Sequence, residues 1–395
     1  MPDFFSKIIA PESIDSFFAT YHEKERLHIK RNDENYYNSI LTSEEISSFL
    51  DRQDIFYQSV RIVKDGKEIP NTEYTMKQVP IGHHKKDGVI NTEKAFALFN
   101  AGSTIVVQAG QRYFDNLSKC CLALSQKFNS PVQANLYITP DKSVGFNPHW
   151  DTHDVFVLQI SGTKTWKLYG FEKELPTKNQ SFVSKGYNKE PVETLQLFPG
   201  DFLYVPRGFV HDAMADDGIS AHITIGILSY TWARLFNEVF PQLEEIKAFR
   251  EAVPFWKGDI EELIQEKLLL LKETLSGLDF EKGIERLNTN YNRMQPQPVN
   301  RYFKSLLDVK KLSESTKLSV NEGVVMKIFE KDDALHLHLL NKTVTMPLSL
   351  KPAVDFVLNQ KQFSVADLPL NGSGDSKTTL LNKLIKEGVL HITQL

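Results

Sequence analysis

Between Val132 and Leu228 the chain has the pattern of short strands and little else. The stretches are VQANLYITP from Val132, HDVFVLQISGTKTWKLYG from His153, VETLQLFPGDFLYVPRGFVHDA from Val192 and SAHITIGIL from Ser220. Apolar residues recur at every second position or in brief runs rich in Val, Ile, Phe and Tyr. Pro, Gly and Asp bound them, as they bound half-buried and buried strands. No long helical pattern separates them, so an antiparallel sandwich or small barrel is expected rather than a parallel sheet with crossover helices. The second stretch predicts a hairpin turning near Ser161 and Gly162. In the third, Pro199, Gly200 and Asp201 join two short strands.

Helical patterns flank this region. TSEEISSFLD opens on Thr42 with Glu45 three residues later, the spacing of a capping box. GQRYFDNLSKCCLALSQKF reads as a helix buried on its leucine and cysteine side. After Tyr230 two stretches carry apolar residues at spacings of three and four. The second is apolar from Leu268 to Leu271, more than one helix needs against water, and predicts packing between helices or on a second subunit. NRMQPQPVNRYF, with its prolines and amides, predicts a linker. The last hundred residues alternate helix and strand in an order resembling a winged helix. The expected boundaries are 1–230, 231–300 and 301–395.

Bulk chemistry narrows the function. There are 46 Lys and Arg against 50 Asp and Glu, for a formal net charge of -4, which gives no overall attraction to a polyanion. The lysines of DSKTTLLNKLIKEG are too sparse for a basic face, so direct nucleic-acid binding is not expected. The two cysteines, Cys120 and Cys121, are adjacent. That excludes a disulfide framework and a zinc site built on several thiolates, and points to a reducing compartment. The opening residues have no basic stretch ahead of an apolar core, and no apolar run is long enough to cross a bilayer. A cytoplasmic protein is expected, nuclear or nucleolar if eukaryotic.

The chemistry concentrates at GFNPHWDTHD. His149 and Asp151 are two apart, so on a strand both face one side and can converge on a divalent metal. A third ligand must come from elsewhere. His211, after the bend at Pro206 and Gly208, is the natural candidate, and His222 competes; His153 shares the parity of His149. Two histidines and a carboxylate make a facial triad with open metal positions, which suits iron(II) and dioxygen better than zinc. Lys164 follows the turn after this strand. If it points inward it needs an anion, such as the far carboxylate of a chelating diacid. Trp166 shares its parity and reads as core. Asn135, Tyr137 and Thr139 share one face of the preceding strand.

Taken together, NLYITP, GFNPHWD, DVFVLQ with its Gly turn and Lys, and GDFLYVPRGFVH resemble the JmjC and cupin-type 2-oxoglutarate oxygenases. Within these the chain looks most like the ribosomal oxygenases, which hydroxylate arginine or histidine in ribosomal proteins. The resemblance implies a mainly β, double-stranded β-helix core of cupin or jelly-roll type. A helical dimerisation region and a C-terminal winged-helix module would follow. It implies His149, Asp151 and His211 as ligands of Fe(II). Lys164 would hold the distal carboxylate of 2-oxoglutarate with Tyr137 assisting, and Asn135 would line the site beside Thr139. The reaction implied consumes 2-oxoglutarate and O2, releases succinate and CO2, and hydroxylates a ribosomal protein. Homodimerisation would run through residues 231–300. One departure is visible: HITIG has Gly226 where the family pattern has serine, which bears on substrate contacts. Other readings with the same residues are N-methyl-lysine demethylation of histones, hydroxylation of another peptide or small molecule, and a non-catalytic cupin scaffold that binds proteins.

Overall fold

Alternation from Val132 onward resolves into strands of two facing antiparallel sheets. The computed structural model describes residues 3–180, 182, 187–294, 301–321, 324, 327–339, 342–370 and 374–395. It divides into two compact units, Met1–Ser229 and Tyr230–Leu395.

In the first unit the strands of the two main sheets are β1 (Leu27–Ile29), β2 (Val60–Lys64), β3 (Lys67–Glu68), β4 (Thr104–Val107), β5 (Val132–Thr139), β6 (Asp154–Ser161), β7 (Lys164–Phe171), β8 (Glu193–Leu197), β9 (Phe202–Val205), β10 (Phe209–Ala215) and β11 (Ser220–Ile227). The larger sheet runs β1-β9-β6-β11-β5-β4-β2-β3 and the smaller β8-β7-β10. Pairing is antiparallel throughout both.

The two faces of the large sheet bury different things. Ala134, Leu136 and Ile138 of β5, Phe156 and Leu158 of β6, and Ile223 and Ile225 of β11 join a core with Phe5, Ile8, Phe17, Leu117 and Leu124. Those partners come from the helical patterns ahead of β5. On the other face Val155, Val157, Leu203 and Val205 meet Trp166, Leu168, Leu195 and Leu197 of the small sheet. An unbroken apolar run such as DVFVLQI is what a strand covered on both sides requires.

This double cover overturns the expected hairpin. β6 pairs with β9 and β11, whereas β7 pairs with β8 and β10. The turn at Ser161 and Gly162 therefore carries the chain from one sheet to the other. The Gln159 amide holds it by donating to the carbonyls of Ser161 and Gly162 and to Ser220 Oγ, each at 2.9 Å. Pro199, Gly200 and Asp201 likewise lead from β8 in the small sheet to β9 in the large one.

Support from the N-terminal region follows local rules. Glu45 N–H donates to Thr42 Oγ1 at 3.2 Å and Thr42 N–H donates to Glu45 Oε2 at 2.9 Å, completing the capping box of helix Ser43–Leu50. Thr42→Ala is expected to cost about 1 kcal/mol and to lower the unfolding midpoint by about 2–4 °C, measurable by calorimetry. The helix Asp115–Phe128 buries Leu117, Cys120, Cys121 and Leu124, as its sequence predicts, and both cysteines are free thiols.

The second unit begins with helices Trp232–Val239, Glu261–Leu275 and Phe280–Met294. Helix Glu261–Leu275 buries none of its residues; Leu269 is 61% exposed. The expected linker falls mainly on residues 295–300, outside those described. Strands Lys327–Lys331 and Ala334–Leu339 form a hairpin turning at Asp332 and Asp333, and a third strand, Lys342–Pro347, extends it. Helices Lys351–Asn359 and Gly374–Lys386 alternate with strands Gln362–Ser364 and Leu390–Gln394. They share a core that includes Val354, Phe363, Leu381 and Ile392. The molecule is thus rich in β-sheet in its first unit and mixed in its second. Among the described residues no helix is long and apolar enough to cross a membrane.

Candidate metal centre

The cavity of interest lies between the two sheets. Its volume is about 290 Å³ and every residue of the predicted site lines it or adjoins it. The odd-numbered residues of β5 face it, because successive side chains alternate across the sheet. Register extends this face across β11: Tyr137 lies opposite His222, Asn135 opposite Thr224 and Gln133 opposite Gly226.

His149 and Asp151 precede β6 and are not part of a regular strand, contrary to expectation. Their common direction comes from an isolated bridge to β10. His149 N–H donates to the His211 carbonyl at 3.0 Å and His211 N–H donates back at 2.8 Å. Gly208 N–H donates to the Asp151 carbonyl at 3.0 Å. Gly208 has φ +85°, and a β-carbon there would lie 1.9 Å from the Lys173 carbonyl oxygen. Only glycine makes this bend, which aims β10 and His211 at the other two ligands.

The ligand atoms of His149, Asp151 and His211 lie within 4.8 Å of one another. His211 Nε2 is 3.7 Å from Asp151 Oδ2. The imidazoles are held alike: His149 Nδ1 donates to the Asn147 carbonyl at 2.8 Å and His211 Nδ1 to the Phe209 carbonyl at 3.0 Å. A carbonyl can only accept, so each ring keeps its Nε2 lone pair for a metal. Burial, aided by the neighbouring His149, brings the His211 pKa down to about 4, so the ring is neutral at pH 7. Burial opposes ionisation of Asp151, but the imidazoles at 153, 149 and 211 outweigh it and hold its carboxyl below the usual range. A neutral, preoriented imidazole and an ionised carboxylate are what a divalent cation needs. The donor set fits a 2-His-1-carboxylate metal.

Lys164 points inward. It is 3% exposed, and its ammonium donates to Thr139 Oγ1 at 2.9 Å; Thr104 Oγ1 donates to the same oxygen at 3.2 Å. Burial pulls the Lys164 pKa down to about 7. Trp166 Nε1 and His222 Nδ1 also line this cavity, buried without a hydrogen-bond partner among the described residues. A buried cation beside unsatisfied polar atoms fits an anionic, hydrogen-bonding guest. Asn135 Oδ1 accepts from Ala109 N–H at 3.1 Å and from Gln133 Nε2 at 3.2 Å, and its amide NH2 donates toward the Tyr137 hydroxyl. Tyr137 stacks on His222 with centroids 5.0 Å apart and planes 5° apart. His222 is therefore a wall of the cavity and stands outside the three-ligand set.

Sequence reasoning missed Arg61. It lines the cavity, hydrogen-bonds Tyr137, and lies 5.4 Å from the Phe146 ring centroid. It arrives on β2, about whose pattern nothing local suggests a site. A second group of possible ligands, His22, Glu23 and Asp154, also escaped notice. Its carboxylates already have partners: Arg207 pairs with Glu23 and the Tyr204 hydroxyl donates to Asp154 at 2.9 Å. It ties the N-terminal segment to the start of β6.

Residues 108–235 match the JmjC domain family. The chain is similar in sequence to proteins of two names, a bifunctional demethylase and hydroxylase and ribosomal oxygenase 1. The bifunctional lysine-specific demethylase and histidyl-hydroxylase NO66 of Dictyostelium discoideum is 30% identical over 258 residues, covering 62% of this chain and 48% of that protein. Human ribosomal oxygenase 1 is 28% identical over 266 residues, covering 63% and 39%. The chain thus spans about half or less of the length of these relatives. The structure of YcfD, a ribosomal oxygenase from Escherichia coli in complex with cobalt and 2-oxoglutarate, aligns over 97% of this chain and 99% of that one. The TM-score is 0.53 and the identity 14%, a likeness of fold.

Proposed function

We propose that this protein is an Fe(II)- and 2-oxoglutarate-dependent oxygenase that hydroxylates a histidine or arginine side chain of a ribosomal protein. The observation that carries the reading is the meeting of His149, Asp151 and His211 in one cavity with the buried ammonium of Lys164. The sequence relatives named ribosomal oxygenase 1 support the substrate class.

Bound iron, with 2-oxoglutarate and dioxygen, would supply the oxidising power that replaces a C–H by C–OH and releases succinate and CO2. The chain's own residues do the rest. His149, Asp151 and His211 hold the metal from one side and leave the other for exchangeable ligands. Lys164 takes the distal carboxylate of the cosubstrate, with Thr139 positioning its ammonium and Tyr137 assisting. Asn135 lines the substrate side. The two sheets keep bulk water from the buried end of the cavity.

The finer architecture belongs to the same reading. The facing sheets form a double-stranded β-helix core of JmjC type within 1–230. Residues 231–300 form a dimerisation region, and 301–395 a winged-helix-like module that serves a structural or protein-facing role. The bare face of helix Glu261–Leu275, with Leu268 and Leu269 in water, supports a homodimer. Leu268→Glu with Leu269→Lys is expected to lower the oligomeric mass to that of the monomer, read by light scattering. A parent protein of monomeric mass would remove the dimer, and a variant that keeps a dimeric mass would remove this helix from its interface.

The function is tested by incubating the protein with iron(II), ascorbate, dioxygen and 2-oxoglutarate and following succinate. Mass spectrometry of ribosomal proteins from cells with and without the gene then locates the residue that gains one oxygen. Formaldehyde release from methyl-lysine peptides would favour the demethylase reading, which the name of the Dictyostelium relative also carries. Binding of partners without any turnover would favour a scaffold.

A further inference from the structure

Gly226 stands in the interior of β11, paired with Val155 on one side and Gln133 on the other. Its backbone lies outside the left-handed region, so conformational freedom does not explain a glycine there. Space does. A β-carbon at 226 would lie 3.0 Å from His153 Cε1, 3.1 Å from Nδ1 and 3.3 Å from Nε2. Three ring atoms at nearly one distance mean that the imidazole lies with its face against the glycine. A strand glycine at the close approach of another group is a familiar use of the residue. Any side chain at 226 would push His153 away, so the two residues fit as a pair.

The ring is also oriented. His153 Nδ1 is 3.3 Å from the Asp154 carbonyl oxygen, which can only accept. In the neutral ring Nδ1 therefore carries the donated proton, and Nε2 is left as an acceptor. His153, Gly226, Gln133 and Asn135 line the same cavity as the three candidate ligands. His153 is itself outside the ligand set, so its acceptor is available to a guest.

We propose that His153, seated on Gly226, is a specificity-determining residue whose imidazole accepts a hydrogen bond from an N–H of the side chain to be hydroxylated. An acceptor at this wall selects an imidazole or guanidinium over an aliphatic side chain, because an aliphatic group would leave it unsatisfied. The inference rests on the hydroxylase reading for its substrate and on the coordinates alone for the pairing.

Two measurements test it. In metal-free protein, Gly226→Ala is expected to lower the unfolding midpoint by about 4 °C. In a His153→Ala background the same change is expected to have little effect, the signature of coupled neighbours. Additive shifts would overturn the pairing. With total ribosomal protein from cells lacking the gene as substrate, His153→Val is expected to raise KM about tenfold with a smaller change in kcat. His153→Gln, which restores an acceptor, should recover most of the loss, and cobalt(II) should bind all three proteins alike. A parental KM in His153→Val would overturn the substrate contact. If the parent protein releases no succinate and hydroxylates nothing, the hydroxylase reading falls and the substrate contact with it, while the midpoint cycle still decides the pairing.

Discussion

His211→Ala is expected to abolish hydroxylation and to weaken metal binding by at least a hundredfold. The magnitude follows from the small size of the donor set: one of three protein ligands is lost, and with it the facial arrangement that holds the metal. His222 cannot replace it, since it is stacked on Tyr137 and stands outside the ligand cluster. The fold should survive, because the bridge to His149 is made by backbone groups that alanine retains. The measurement is cobalt(II) titration beside succinate production, with far-ultraviolet circular dichroism to verify folding. Retained turnover would remove His211 from the site.

Lys164→Met is expected to weaken 2-oxoglutarate binding by at least a hundredfold while raising the stability of the ligand-free protein. Both effects have one cause. Folding places an ammonium where water cannot solvate it, and only a guest carboxylate compensates fully. Methionine fills similar space without the charge, so about 2 kcal/mol of stability should be gained at pH 7. The pH dependence has a definite sign. An unfolded lysine titrates near 10.4, whereas folded Lys164 titrates at about 7. Between these values the unfolded chain binds more protons, so parental stability rises with pH across that window. Below about pH 7 the burial cost is fully present. Lys164→Met should flatten this rise. Cosubstrate binding should show the opposite trend, because a carboxylate favours the ammonium. Affinity should be steady below pH 7 and weaken by up to about tenfold per pH unit above it. Isothermal titration across pH 6–9 reads both trends.

The strands of the first unit were legible because alternation and turn residues are local signals. Their partners were not. Whether β6 turns back on β7 or sends it to a second sheet depends on what covers each face of DVFVLQI, and that cover comes from N-terminal helices on one face and from the small sheet on the other. The pair His149 and Asp151 was legible from spacing, although a bridge to β10 rather than a strand of their own sets their direction. Spacing could not choose between His211 and His222, since both sit on strands that line the cavity; register makes the choice. For Lys164 the sequence left the direction open, and its inward turn and bond to Thr139 required the two sheets to face each other. Arg61 had no readable signal, because an arginine on a half-exposed strand looks like any solvated residue. Gly226 stood out as a departure, and only coordinates show that His153 fills the room it leaves.

The most direct measurement is anaerobic addition of 2-oxoglutarate to the iron(II)-loaded protein, followed by visible absorption. A keto acid chelating iron held by His149, Asp151 and His211 should produce a metal-to-ligand charge-transfer band. The band should saturate with one equivalent per chain, bleach on admission of oxygen and be absent from Asp151→Ala. If the parent protein shows no band under conditions where both iron and 2-oxoglutarate are in excess, the three side chains do not form the centre described.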